Sequence, residues 1–323
     1  MSDSSAARTF SLGREAGADG SFERQRSAFR DWVTTDGSSP HPAEPGRYHL
    51  YVSWACPWAH RAIIARRLKG LEHAISMSAV DPWRDERGWG FTPGAYDDPL
   101  NGFRFLSQAY ERTDPSYDGR HSVPVLWDKR LGRIVSNESG DVVRMLNDAF
   151  DAFAERDVDL YPAPLRAEID ALEERIYDTV NNGVYKAGFA RSQEVYEREV
   201  TALFETLDWL EERLTTRRYL VGHSPTEVDW RLFTTLVRFD SAYHVHFKCN
   251  LRRIVDYPNL WAYVRDLYQQ PGIAATVRMD EIKRHYFTTH PEIDPIGLVP
   301  LGPVLDFTAP HGRERLSLRS AAA

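Results

Sequence analysis

The sequence predicts a two-domain fold, an α/β unit followed by an all-α unit. Three observations carry this. Residues 47–150 read as strand, helix, strand, long loop, two strands and helix. Residues beyond about 160 keep the 3.6-residue apolar spacing of helices. A cysteine-proline pair, Cys56-Pro57, stands where the first strand gives way to the first helix. A chain of 323 residues with 42% hydrophobic residues supplies the core for both units.

The elements follow in order. Residues 1–46 are polar and form an N-terminal extension, of which Phe22 to Val33, with Phe29, Trp32 and Val33, has the apolar groups to dock on a folded body. Arg47 to Trp54 alternates and is rich in aromatic and β-branched residues, as a strand should be. Ala59 to Leu68 keeps helical spacing and stops at Gly70. Ala74 to Val80 is the second strand. Asp81 to Ser122 is a long insertion rich in Gly, Pro, Asp and aromatics, and loops of that length are usually functional. Val123 to Trp127 and Arg133 to Ser136 form a hairpin around Asp128 to Gly132, and Ser136 or Asn137 caps a helix running to about Asp148.

In the second half, Leu165, Ile169, Leu172, Ile176 and Val180 mark one apolar helix face, and Tyr196, Val200, Leu203, Leu207, Leu210 and Leu214 another. Asn181-Asn182-Gly183 is a break that redirects the chain near Tyr185. Thr226 and Asp229 make a capping box for a helix through Val237. Pro271 ends the helix holding Trp261, Tyr263 and Leu267. The chain after Tyr286 is proline-rich and is expected to wrap the surface.

Cys56 is the candidate nucleophile. With Pro57 at the first helical position, where its missing N–H costs nothing, the cysteine faces unpaired amides and the positive end of the helix dipole. These favour the thiolate, which is the reactive form. The alternative is a small buried hydrophobe, as most free cysteines are. A dithiol oxidoreductase would carry a second cysteine at position 59, where this chain has Ala59. A mixed disulfide on Cys56 is then released by a thiol from outside, for which glutathione is the natural candidate. Cys249 has no activating neighbours and reads as structural.

Composition narrows the rest. The net charge of −7 gives no nucleic-acid surface. Two cysteines make no disulfide framework and suit a reducing compartment, so a cytoplasmic protein is expected. Met1 to Gly20 has no apolar signal core, and no apolar run approaches a membrane span. No metal site is expected, since His244 and His246 do not share a helix face and no Cys/His cluster has ligand spacing.

Five segments in register carry a resemblance. Cys56-Pro57-Trp58-Ala59-His60-Arg61, Gly88-Trp89-Gly90-Phe91, Val123-Pro124-Val125-Leu126-Trp127-Asp128, Ser136-Asn137-Glu138-Ser139 and Ile282-Lys283-Arg284-His285-Tyr286 resemble the glutathionyl-hydroquinone reductases, the Xi class of omega-like glutathione transferases. The likeness spans about Phe22 to Pro303. It implies the glutathione transferase fold, with a thioredoxin-like glutathione-binding domain at 47–150, an all-helical domain at 160–290, a tail at 291–323, and a homodimer with the insertion and the tail as its suspected contact surfaces.

The same resemblance assigns roles. Val123, before a cis Pro124, offers its backbone to the glutathione cysteinyl unit; read alone, Pro124 is equally an ordinary turn proline. Glu138 and Ser139 hold the γ-glutamyl group at a helix start; read alone, they cap the helix. Trp89 walls the site, and Arg120 meets the glutathione backbone and terminal charge; Arg120 also fits a solvated surface. Tyr185, Tyr243 and Tyr286 converge on Cys56, with Tyr185 as the acid and the other two tuning the thiol and lining the substrate pocket; read alone, all three are core tyrosines.

The implied reaction is reduction of a glutathionyl-hydroquinone through a Cys56–glutathione mixed disulfide, with glutathione as co-substrate. A thioltransferase or dehydroascorbate reductase shares this thiolate chemistry, and a scaffold that only binds partners is the alternative outside enzymes.

Overall fold

The structure, a computed structural model, describes residues 15–316. The first 14 residues of the expected extension and the last seven of the tail lie outside them. Two short strands, β1 (Val33–Thr34) and β2 (His41–Pro42), pair in parallel beside the main sheet. β3 (Tyr48–Val52) is buried along its whole length. α1 (Pro57–Lys69) follows, opened by Pro57 and closed by Gly70 at φ 68°, a left-handed conformation that favours glycine. β4 (Ile75–Ala79) then returns parallel to β3, with Tyr48 opposite Ile75. This is the crossover unit the alternation of patterns predicts.

The Asp81–Ser122 insertion is not the structureless loop the sequence suggests. It holds a hairpin of β5 (Arg84–Asp85) and β6 (Gly88–Trp89) and a helix, α2 (Ser107–Thr113). Buried carboxylates organise it: Asp81 accepts from the Trp83 amide and the Thr92 hydroxyl, and Asp98 accepts from the amides of Leu100, Asn101 and Phe103. Such side-chain-to-backbone bonds replace a regular ladder and leave no periodic signal.

β7 (Val125–Asp128) and β8 (Arg133–Ser136) complete a sheet of order β4-β3-β7-β8, antiparallel where β7 meets β3 and β8. The exposed edge of β8 is covered by the N-terminal segment. Arg30 bridges to Ser136, the Asp31 amide donates to Val135 at 3.0 Å, and the Asn137 amide donates to Phe29 at 3.0 Å. Covering an edge in this way removes a template for unwanted pairing. Val33 is buried in this docking as expected, whereas Trp32 stays 40% exposed.

α3 (Ser139–Asp148) is capped by Glu138, which accepts from the Gly140 amide, and not by Ser136 or Asn137. Those two are committed elsewhere: the Ser136 hydroxyl receives the Glu138 amide, and Asn137 bonds to Phe29 and Tyr110.

The remaining chain is helical: α4 (Arg166–Ile176), α5 (Gly183–Gly188), α6 (Gln193–Arg213), α7 (Glu227–Arg238), α8 (Pro258–Tyr268) and α9 (Met279–Thr288). Thr226 and Asp229 form the predicted capping box of α7. α8 ends at Tyr268, ahead of Pro271. The Asn181-Asn182-Gly183 break is a correction, because the chain stays helical through a π turn at Tyr177–Asn181. Asn181 does not terminate the helix because its side chain bonds to Arg61, Arg231 and Thr235. A second π turn, Phe239–Tyr243, follows α7. The first faces α1, through Asn181 to Arg61, and the second packs on α9; π turns recur at functional sites.

α1 packs against α3 and α7, so the strand-to-helix turn at Cys56 is held from both units. The tail lies on the helical unit. Phe307 stacks on Tyr268 at 5.0 Å, and buried Arg313 donates to the carbonyls of Leu214, Arg217 and Arg218.

Candidate active site

Cys56 immediately precedes α1 with extended backbone, and its side chain makes no capping bond. The thiol is 7% exposed, and its Sγ lies 3.6 Å from the Val123 carbonyl, a weak S–H contact. The carbonyl that the sequence reading reserves for a ligand therefore already faces the thiol. Arg238, fully buried on α7, fixes the loop ahead of Cys56. Its guanidinium donates to the carbonyls of Trp54 at 3.0 Å and Ala55 at 2.9 Å, and to His60 Nδ1 at 3.0 Å. His60 then passes its Nε2–H to Thr276 at 2.8 Å. A helix of the second unit thus positions the Cys56 turn of the first.

In front of the thiol lies a cleft of about 510 Å³. Trp89, Arg120, Val123, Pro124, Glu138 and Ser139, the candidates named from sequence, all line it beside Cys56. The Val123–Pro124 peptide is cis. Ser139, in the first turn of α3, receives the buried Arg61 guanidinium at 3.4 Å, and Arg61 donates to Asn181 at 2.9 Å. Burial lowers the Arg61 pKa to about 10. Glu138 does what capping predicts, accepting from Gly140, and also accepts from the Ser27 hydroxyl at 2.9 Å. Arg120 is no solvated surface charge, since it pairs with Glu15 at 2.7 Å. Trp89 stacks on His285 with ring centres 4.9 Å apart.

Behind Cys56 a narrow inner chamber is lined by Cys56, Trp89, Tyr185, His285, Tyr286 and His290 among others. Tyr185 and Tyr286 therefore do meet the thiol's surroundings. Tyr243 does not line the chamber; it stands behind Tyr286, hydroxyl to hydroxyl at 2.9 Å. Burial raises all three phenols above their ordinary range, most strongly Tyr243 and Tyr286, so they are protonated at neutral pH.

Sequence reasoning missed the part played by the N-terminal segment. Arg24 and Ser27 line the cleft. The Arg24 guanidinium lies 4.7 Å from the ring centres of Trp58 and Tyr185 and donates to Asn182 at 2.7 Å. Its Nη2 and the Trp58 Nε1 are donors with no partner among the described residues. The clue was present in Phe22, which seats the segment by packing on Phe189 at 5.3 Å. Arg84 and the two histidines of the chamber were missed as well, and no spacing rule marks them.

Cys249 is fully buried and lines neither the cleft nor the chamber, its thiol facing the Val184 and Phe247 carbonyls, and burial pushes its pKa up. Asp170, Glu173 and Glu227 converge elsewhere, but Arg144 and Arg231 already pair with them.

Comparison with known proteins agrees with the geometry. Residues 55–149 match the glutathione S-transferase N-terminal domain and residues 193–266 the C-terminal domain. The glutathionyl-hydroquinone reductase YqjG of Escherichia coli is 54% identical, over 91% of this chain and 93% of that protein. The glutathionyl-hydroquinone reductase PcpF of Sphingobium chlorophenolicum is 51% identical, over 88% and 90%. Among solved structures, glutathione-bound YqjG superposes with a TM-score of 0.85 over 88% of this chain and 96% of that one. The Xi-class enzyme of Natrialba magadii, 50% identical, gives 0.90 over 94% of each. The chain belongs to the glutathione transferase family, among its Xi-class, omega-like members.

Proposed function

We propose that the protein is a glutathionyl-hydroquinone reductase that uses glutathione as co-substrate. The observation that carries this reading is the position of Cys56 between two different spaces. On one side is a cleft of about 510 Å³ with a helix N-terminus and arginines; on the other is a narrow chamber of about 40 Å³, which the rings of Trp89, Tyr185 and Tyr286 line together with Arg84 and Glu15. A conjugate of glutathione with an aromatic ring has those two halves, and its sulfur falls between them.

Glutathione is held by the α3 N-terminus and Ser139 at its γ-glutamyl carboxylate, by Glu138 at its ammonium, and by the Val123 backbone at its cysteinyl unit. The Cys56 thiolate attacks the conjugate sulfur. An S–S bond forms, the aromatic C–S bond breaks, and its electron pair passes to the ring carbon, which takes a proton from Tyr185. A ring hydroxyl makes that carbon able to carry the developing charge. A second glutathione then attacks the mixed disulfide, releasing glutathione disulfide and restoring the thiolate. Cys249, buried away from the cleft, offers no internal resolving thiol, which supports an external one.

The test is product analysis. The protein given a glutathionyl-hydroquinone and glutathione should release free hydroquinone and glutathione disulfide in equal amounts. Reduction of plain disulfides with no action on the conjugate would favour a thioltransferase instead.

Among the described residues no helix is long and apolar enough to cross a membrane. We infer a cytoplasmic homodimer, supported by the free state of both cysteines and by the exposed apolar tail side chains Ile296, Leu298, Leu301 and Val304. Light scattering on the full chain and on a variant with charged residues at Leu301 and Val304 tests the dimer.

A further inference from the structure

Ser139 opens α3 and lines the cleft, and its hydroxyl is met from beneath by a buried arginine. The Arg61 guanidinium donates to Ser139 Oγ at 3.4 Å, the long end of such a bond. A guanidinium carries no acceptor, so Ser139 Oγ accepts at this contact and its own O–H is left to donate. Among the described residues that O–H meets no acceptor. The contact therefore decides how a small hydroxyl works, as a donor on the cleft wall, which is the role a carboxylate ligand can use.

Arg61 is itself held from the helical unit. Asn181, the last residue of the first π turn, accepts from Arg61 Nη2 at 2.9 Å. The Asn181 Nδ2 donates to the Arg231 carbonyl at 3.1 Å and to the Thr235 hydroxyl at 2.8 Å, so the amide cannot turn over without losing all three bonds. The Trp58 ring centre lies 4.4 Å from the guanidinium. Arg61 is 3% exposed, and among the described residues it forms no ion pair. Two carboxylates share its surroundings but are engaged elsewhere: Glu173 with Arg231 at 2.6 Å, and Glu138 with the Gly140 amide and the Ser27 hydroxyl. A buried cation without its own anion is costly, and here it backs a helix N-terminus that faces the cleft.

We propose that Arg61 is a positioning residue for glutathione, orienting the Ser139 hydroxyl as a donor to the γ-glutamyl carboxylate, and that the π turn ending at Asn181 holds it in place. This rests on the placement of that carboxylate at α3 in the reductase reading. It makes the helical unit a participant in glutathione binding, through a residue that touches no ligand.

The experiment is a double-mutant cycle read by calorimetry, with glutathione as the probe and Cys56→Ser as the background, so that no disulfide forms at position 56. Ser139→Ala should weaken binding about 10–100-fold, the scale of a hydrogen bond to a charged group. Arg61→Met should weaken it about 3–10-fold, the scale of one ordinary hydrogen bond. The two together should bind no worse than Ser139→Ala alone. Arg61→Lys, which keeps a charge and an N–H donor, should recover part of the loss. With Cys56 intact, Arg61→Met should raise KM for glutathione and leave kcat nearly unchanged, a split that general loosening of the fold does not produce. An unchanged affinity in Arg61→Met overturns the proposal, as does a loss of the same size with and without the Ser139 hydroxyl. Should Arg61→Met not fold, Asn181→Ser releases the guanidinium without removing it and runs the same cycle. No loss there, or a loss that persists in Ser139→Ala, overturns the proposal equally. A Ser139→Ala protein that binds glutathione as tightly as its parent is a different result and strikes the placement of the γ-glutamyl group itself.

Discussion

The hydroxyls of Tyr185 and Tyr286 stand 2.6 Å apart, and Tyr243 continues the chain from the far side of Tyr286. Hydrogen bonds in such a chain polarise one another. In the proposed reaction Tyr286 donates to Tyr185, and the Tyr185 proton is the one lost to the ring carbon. Tyr185→Phe should lower turnover of a glutathionyl-hydroquinone by about 10²–10⁴-fold, the range for positioned acid catalysis. Its reduction of a simple disulfide should suffer far less, because a thiolate leaves without that proton. Steady-state rates on both substrates decide; equal loss on both removes the acid role.

Cys56→Ser should abolish turnover and leave conjugate binding intact, because the residues proposed to hold glutathione are elsewhere on the cleft. Mass spectrometry of unaltered protein given conjugate but no free glutathione should find the adduct on the peptide containing Cys56. An adduct on Cys249, which is sealed in the core, would contradict the mechanism.

Glu138 and Ser139 separate capping from binding. Glu138→Gln keeps an oxygen for the Gly140 amide and so should leave thermal stability near its original value. It removes the charge proposed to meet a glutathione ammonium and should raise KM for glutathione by about 10–100-fold, the scale of a hydrogen bond to a charged group. Ser139→Ala should do the same with little change in the rate of bound thiolate. If KM stays put while melting temperature falls, the pair serves only as a helix cap.

How much of this was legible follows from what each element depends on. α1, β3, β4 and the capping box of α7 are encoded locally, by a proline, a closing glycine, alternation, and a threonine three residues before an aspartate. They read correctly. The hairpin and helix inside the 81–122 insertion depend on Asp81 and Asp98 gathering amides, and the π turn at Tyr177–Asn181 depends on Asn181 finding Arg231 on α7 and Arg61 across the domain boundary. Such bonds join residues far apart in sequence and leave no period. The site divides in the same way. Cys56 announces itself through its turn and Glu138 through its helix start, whereas Arg24, His285 and His290 acquire their places only when distant segments pack together.

Asp128 gives a pH-dependent check on the sheet that carries Cys56. Burial pushes its carboxyl up, but bonds from Arg47 at 2.6 Å and His41 at 2.9 Å outweigh this and hold its pKa below the ordinary value. A carboxyl depressed in the folded state contributes stability above its unfolded pKa of about 3.9 and loses it as pH falls through the folded value. Asp128→Asn should therefore cost about 3–5 kcal/mol at neutral pH, the price of breaking a buried pair. In denaturant unfolding the gap between the two proteins should close as the pH is taken below about 4. A gap independent of pH would assign the loss to packing alone.

Arg24 is the sharpest test of the N-terminal segment. One edge of its guanidinium is used by Asn182, and the plane is sandwiched near Trp58 and Tyr185, yet Nη2 has no partner among the described residues and the side chain lines the glutathione cleft. If glutathione occupies the cleft as proposed, a half-buried cation with an unused donor on its wall should take one of its carboxylates. Arg24→Met preserves most of the stacking length and removes the charge. It should raise KM for glutathione about 10–100-fold with a smaller change in kcat, and Arg24→Lys should recover only part of the loss because the planar fork is gone. Stopped-flow attack on a preformed Cys56–glutathione disulfide, as a function of glutathione concentration, isolates the step. Saturation at an unchanged concentration in the Met variant would show that the segment covers the cleft without gripping its ligand.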